Sequence, residues 1–193
     1  MPDELINRVL DPVCYAPFGA APEKMCITVV NSRERIVQAL PHIEKFLDKI
    51  VTWIENPVIR YILKRKNGPE LFNTLKNHLY PISKLKNYKL EYGDRITRNA
   101  PSLIIFHAEE GAEAHSQNSM IYAIYTMLAA HALGLGATLI EIVPAAINRS
   151  KEVREVFDIP DTHEASMSLI LGYPRFSYQR TVKRRKHSIR ILS

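Results

Sequence analysis

Hydrophobic residues recur along this chain with two different periods. Leu5, Ile6, Val9, Leu10 and Val13 fall at helical spacing behind an acidic first turn, Asp3 and Glu4, and Pro12 is expected to distort or end that helix. Met25 to Val30 is a short apolar, β-branched run bounded by Lys24 and Asn31, which predicts a buried strand. From Arg33 to Glu55 the residues Ile36, Val37, Leu40, Ile43, Leu47, Ile50, Val51 and Ile54 mark a long amphipathic helix that Pro41 could break in two. Residues 57–98 are rich in Lys, Asn and Tyr. They read as a variable helical excursion with helices near Val58–Lys64 and Pro69–Leu79. Leu103 to Phe106 predicts a second buried strand, and Ser116 to Leu133 a helix that Gly134 stops. Ala137 to Val143 reads as a third strand, Lys151 to Phe157 as a short helix, and Ser166 to Leu171 as a fourth strand ended by Gly172-Tyr173-Pro174. Ser188 to Leu192 completes the set as a last strand. Strands separated by helices indicate an α/β or α+β sheet with helices on its faces.

Composition narrows the class. The 193 residues, 46% hydrophobic and 24% charged, suit one domain spanning residues 1–193. A chain of that length needs neither metal nor disulfide to bury a core. Seven Gly and twelve Pro exclude collagen-like and wholly disordered readings. Apolar runs fall short of the roughly 18 residues that span a bilayer. The longest, Met120 to Leu135, contains His131 and reads as a buried helix. Met1-Pro2-Asp3-Glu4 has no signal-peptide character. Cys14 and Cys26 fit no CxxC or zinc spacing and are expected to be free, buried thiols in a reducing cytoplasm.

Charge and chemistry come next. The 26 basic and 20 acidic residues leave a net +6, which points to an anionic partner: nucleic acid, membrane or a phosphate-bearing cofactor. GxSxG, GxGxxG and P-loop signatures are missing. His107 and His115 flank Glu109, Glu110 and Glu113, but match no metal-ligand spacing, and read as part of a solvated acidic loop. His131 suits the C-terminal end of its helix. Lys64-Arg65-Lys66 reads as a solvated helix end. The cluster Arg180, Lys183, Arg184, Arg185 and Lys186, after Tyr178, reads as a solvated or anion-binding tail.

Five segments resemble, in order, those of the nitroreductase-like flavoproteins. Tyr15-Ala16-Pro17-Phe18-Gly19 is similar to the family's A-P-S-G. Ala100-Pro101-Ser102-Leu103-Ile104-Ile105 is similar to its AP-x-L-I strand, and Leu128 to Gly136 to its L-A-A-x-x-L-G-L-G helix end. Val156-Phe157-Asp158-Ile159-Pro160 resembles its L-G-I-P, and Gly172 to Arg184 its C-terminal GYP and R-x-P-x-R signature. The nearest branch is one often fused to a ferredoxin module. The resemblance implies an α+β nitroreductase-like fold, with a central mixed β-sheet flanked by helices in an intertwined homodimer. It also implies FMN as cofactor, NADH or NADPH as reductant, and a nitro compound, quinone or similar small molecule as acceptor, with no role for nucleic acid or membrane. Arg184, helped by Arg180, would hold the FMN phosphate; Ala16, Pro17, Phe18 and Gly19 would line the ring, and the backbone of Ile140 and Glu141 would lie near its reactive edge. No triad or metal is needed, because the flavin carries the redox chemistry. The sequence also departs from the pattern. The first helix begins at Met1 without the family's basic R-R-S-x-R segment. Ala21 stands at an amide position, Glu23 at a Gln, Glu141 at a Gly and Val182 at the Pro of R-x-P-x-R. The alternative implied by these departures is a degenerate member, a non-catalytic binding or scaffold protein.

Overall fold

The computed structural model describes residues 1–74, 76–77, 80–84, 93–176, 179, 188 and 190–192. Strand β2 (Ser102–Glu109) is central, paired with β1 (Met25–Val30) on one edge and β4 (His163–Gly172) on the other; β3 (Gly136–Leu139) pairs with the far side of β4. All three pairings are antiparallel. The sheet expected to be mixed is therefore antiparallel in its described part. The described residues of the expected last strand, Ser188 and 190–192, are not in a strand.

Ser102 through Ala108 are all buried, and alternate side chains serve two cores. Leu103 and Ile105 face the helices α2 (Arg33–Glu55), α6 (Ile142–Ile147) and α7 (Lys151–Phe157). Ile104 and Phe106 face α1 (Asp3–Leu10) and α5 (His115–Ala132). Helix α1 passes into a tighter 3-10 turn, Asp11–Tyr15, where Pro12 sits. Cys14 in that turn is exposed and Cys26 on β1 half-buried, so neither free thiol is the fully buried residue expected.

Helix α2 starts at Ser32, whose hydroxyl accepts from the Arg35 amide. It runs through Pro41 without a break. Interior proline costs about 3 kcal/mol, but Pro41 lies on the exposed side while Ile36, Leu40, Ile43, Leu47 and Ile50 bury one continuous stripe. Burial at roughly 1.5–3 kcal/mol per large aliphatic side chain outweighs the missing bond. Helix α3 (Pro57–Thr74) is divided at Gly68, whose φ of 78° is non-helical, so two helical stretches lie about where expected; α4 (Tyr80–Lys84) follows.

The expected strand Ala137–Val143 is shorter than its apolar run. The chain leaves the sheet after Leu139 and coils into α6. A short apolar run cannot by itself distinguish a buried strand from a buried helix. Pro144 sits in the first turn of α6, where an N–H would have no intrahelical partner. Helix α5 stops as expected: Gly134, at φ 74°, donates to His131 O, and Leu135 N–H reaches back to Ala130 O at 2.8 Å. Among the described residues no helix is long and apolar enough to cross a membrane.

Segment 94–100 is pinned to the start of α2 by one guanidinium. Arg33 donates to Asp94 Oδ2 at 3.1 Å, Thr97 Oγ1 at 2.9 Å and Asn99 Oδ1 at 3.1 Å. Burial pushes the Asp94 carboxyl up, but hydrogen bonds from Thr97, Arg33 and the Ile96 amide outweigh it and hold the group below the usual aspartate value. Replacing Asp94 by Ala is expected to lower the unfolding free energy by about 3 kcal/mol, read by urea denaturation. The unfolded chain holds this proton more tightly than the folded one. The carboxylate's contribution is thus complete above 3.8 and is lost as pH falls below it, and D94N should flatten that acid limb.

Candidate functional site

The chain leaves the 3-10 turn at Ala16, which is buried, while Pro17, Phe18, Gly19 and Ala20 are exposed. This loop is held by one side chain on α5. Asn118, fully buried, accepts from the Gly19 amide at 2.7 Å and donates to Ala20 O at 3.0 Å. Gly19 is required by the same packing, since a Cβ there would lie 2.9 Å from Ala114 Cβ. Sequence reasoning missed Asn118; its one visible signal is an amide in the first turns of an otherwise apolar helix.

Ile140 is buried just past β3. Its amide donates to Ser168 O at 2.9 Å, and its carbonyl accepts from the Ser168 hydroxyl. Glu141 is exposed at the cap of α6. The two predicted segments are therefore anchored separately, loop 16–20 to α5 and Ile140 to β4. A hydrogen bond between His115 Nδ1 and Ser166 Oγ, at 2.8 Å, joins α5 to β4. Arg180 and Arg184 lie outside the described residues.

Helix α5 turns Ala123, Thr126 and Ala130 inward and leaves Met120, Ile124 and Leu128, four residues apart, exposed on its outer side. Tyr15 and Phe18 add aromatic surface at 84% and 59% exposure. An apolar outer face of this kind marks a surface that something covers. Residues 16–20 carry no charged side chain, and two of the named backbone donors, Gly19 and Ile140 N–H, are already used. The described residues thus fit the flat, largely apolar ring of the expected cofactor, and its anionic end calls on cations elsewhere. Two guanidiniums that sequence reasoning did not single out, Arg98 and Arg175, line a cleft of about 390 Å³ with Tyr173 and Phe176.

The histidine and glutamate cluster is not one solvated loop. His107 is buried on β2, and burial, with the facing His163 and Arg154 adding to it, pushes its imidazole down to about 4. His115 faces Glu164 at 3.8 Å, and Glu109 pairs with Lys24 at 3.4 Å. His131 lies in the last turn of α5, as expected, but it is exposed, and with Met120, Ile124 and Leu128 also exposed the run Met120–Leu135 is not the buried helix expected. Removing the loop clamp, N118A, is expected to cost about 1–3 kcal/mol. Limited proteolysis should then cut between residues 16 and 21 faster than in the parent protein.

The nitroreductase family model matches residues 1–173. Among solved structures the chain is similar to an FMN-bound nitroreductase from Bacteroides fragilis, at 18% identity and a TM-score of 0.69, covering 100% of this chain and 89% of that one. It is also similar to an FMN-bound nitroreductase from Desulfitobacterium hafniense, at 18% identity and TM-score 0.65, covering 95% and 85%. A third is an FMN-dependent nitroreductase from Mycobacterium smegmatis in complex with NADPH, at 17% identity and TM-score 0.58, covering 96% and 90%. At these identities the likeness is one of fold. No curated protein matches the chain.

Proposed function

The chain belongs to the nitroreductase family, and on that premise we propose that it is an FMN-dependent oxidoreductase. It takes hydride from NADH or NADPH and reduces a nitro compound, quinone or similar small acceptor, as a cytoplasmic homodimer. The observation that carries this reading is the family match over residues 1–173, joined to a clamped loop at the position where the family pattern lines its cofactor.

FMN supplies reversible hydride chemistry when bound, so the protein's own work is binding and shaping. Pro17 and Phe18 offer an apolar shelf, and Asn118 keeps that shelf rigid, so little ordering entropy is spent on binding. Arg184, helped by Arg180, supplies a planar guanidinium fork for the phosphate. Glu141 N–H, which has no partner among the described residues, would serve the ring edge, whereas Ile140 contributes position, its own amide being engaged by Ser168. The exposed Met120, Ile124 and Leu128 are the surface on which a second copy closes.

One set of observations favours the second reading, a member whose flavin site has decayed into a binding or scaffold surface. Gly19 and Ile140 amides are both consumed internally, Glu141 adds a carboxylate to one of the segments named for the ring, and Glu23 stands just past the other. A visible spectrum decides. The purified protein should be yellow or become so with FMN, and NADH or NADPH should bleach it. A colourless protein with no affinity for FMN overturns the oxidoreductase reading. In a flavin-binding protein, R184A is expected to weaken FMN affinity by about 1.5–3 kcal/mol, measured by flavin fluorescence quenching. Unchanged affinity would place the phosphate elsewhere.

A further inference from the structure

Three metal-ligating side chains meet at one end of the sheet, on the face opposite α5. Cys26 on β1 stands directly across from His107 on β2. His163 stands across from Glu109, two positions along β2 from His107. Alternation along β2 puts His107 on the same face as Leu103 and Ile105, which pack against α2, α6 and α7. Cys26 shares that face with Val30. His163 reaches it because of a bulge. Phe106 pairs with Met167 and His107 with Ala165, so Ser166 is the extra residue, and the side chains before it change face.

The ligand atoms converge. One sulfur and one nitrogen from each imidazole lie within 4.8 Å of one another. The two Nδ1 atoms are 2.8 Å apart, and His107 Nε2 lies 2.9 Å from Thr28 Oγ1. With the Nε2 proton donated to Thr28, the lone pair of His107 Nδ1 points at His163. Hydrogen bonding to the far ring nitrogen is how metal-binding histidines are oriented. The backbones of Cys26 and His107 are fixed by sheet pairing, and the His163 carbonyl accepts from Arg154 at 2.8 Å.

We propose that Cys26, His107 and His163 form a binding site for a borderline-soft transition-metal ion, Zn²⁺ first. One thiolate and two imidazoles are the donor set that suits zinc, whereas an oxygen-seeking ion such as Mg²⁺ would find no matching ligands in it. Tetrahedral zinc places its nitrogens about 3.3 Å apart and sulfur about 3.6 Å from nitrogen, so the imidazoles need to part by roughly half an ångström. Binding releases the Cys26 thiol proton, and the resulting thiolate offsets the repulsion from nearby Arg154. Three protein ligands leave a fourth position open. His163 lines a cleft of about 420 Å³ with Arg149 and Arg154, which gives an ion a way in. The ion would tie β1, β2 and β4 together, and binding only the folded chain, it would raise thermal stability.

The test uses the purified chain, with any flavin it carries, after treatment with a chelator and dialysis. Co²⁺ is the probe, because tetrahedral thiolate coordination gives intense d–d bands in the red, where oxidised flavin is transparent. The expected result is one Co²⁺ per chain, displaced by one Zn²⁺, with a raised melting temperature. C26S should abolish the thiolate bands, and C26S and H163Q should each weaken Zn²⁺ by at least about 10–100-fold, the loss that even outer-shell changes cause. H42Q, which alters a histidine outside the cluster, should bind as the parent does. His107 is avoided because it is buried in the sheet. Absence of stoichiometric binding, or affinity in C26S or H163Q equal to the parent's, would overturn the site.

Discussion

Strand β2 is paired on both edges and covered on both faces, and the other elements are placed by what it demands. A strand in that position must satisfy every backbone group through its neighbours and every side chain through helices packed above and below. Its alternation sends Leu103 and Ile105 to one core and Ile104 and Phe106 to the other. Helix α2 keeps its course through Pro41 because its apolar stripe completes the first core. Helix α5 completes the second, but its outer face is left apolar as well, so the fold closes around β2 without finishing its own surface.

The bulge at Ser166 is the second constraint. It interrupts the pairing of β4 with β2 by one residue, which moves Ala165 and His163 onto the face shared with α2 and α7. The displaced Ser166 meets His115 at the start of α5. One inserted residue thus sets the surroundings of both regions described here. It orients the cysteine and histidine cluster on one face and ties β4 to the helix whose Asn118 clamps loop 16–20 on the other. The two ligands proposed for these regions ask for different things. A flavin asks for a rigid apolar shelf, an uncovered face and a remote cation. A zinc ion asks for three donors held on strands.

Much of this architecture was legible in the chain. β1 matched its apolar run to the residue, because β-branched residues between Lys24 and Asn31 leave little else to form. α5 ended where Gly134 permits a left-handed turn, and α7 began and ended as its short apolar pattern implied. The error at Ala137–Val143 has a plain cause, since a short, mostly apolar run fits a strand and a helix alike, and only Pro144 hinted at a helix. Of the proposed site, the loop Ala16–Gly19 was singled out through motif resemblance alone. Asn118 was not, because a single amide in a helix carries no information about the loop it will meet.

The order of apolar and polar residues along the chain was therefore enough to set most of the elements and the class of fold, since burial of periodic stripes is a local instruction repeated many times, while the family was legible only through the resemblance of the five motif segments. Register and approach were decided by the tertiary structure alone. Cys26, His107 and His163 are far apart along the chain, with no spacing that announces a ligand set. They meet because antiparallel pairing aligns the first two and a one-residue bulge turns the third to the same side. Pairing energies between distant strands specify that arrangement, and no pattern within any one segment encodes it.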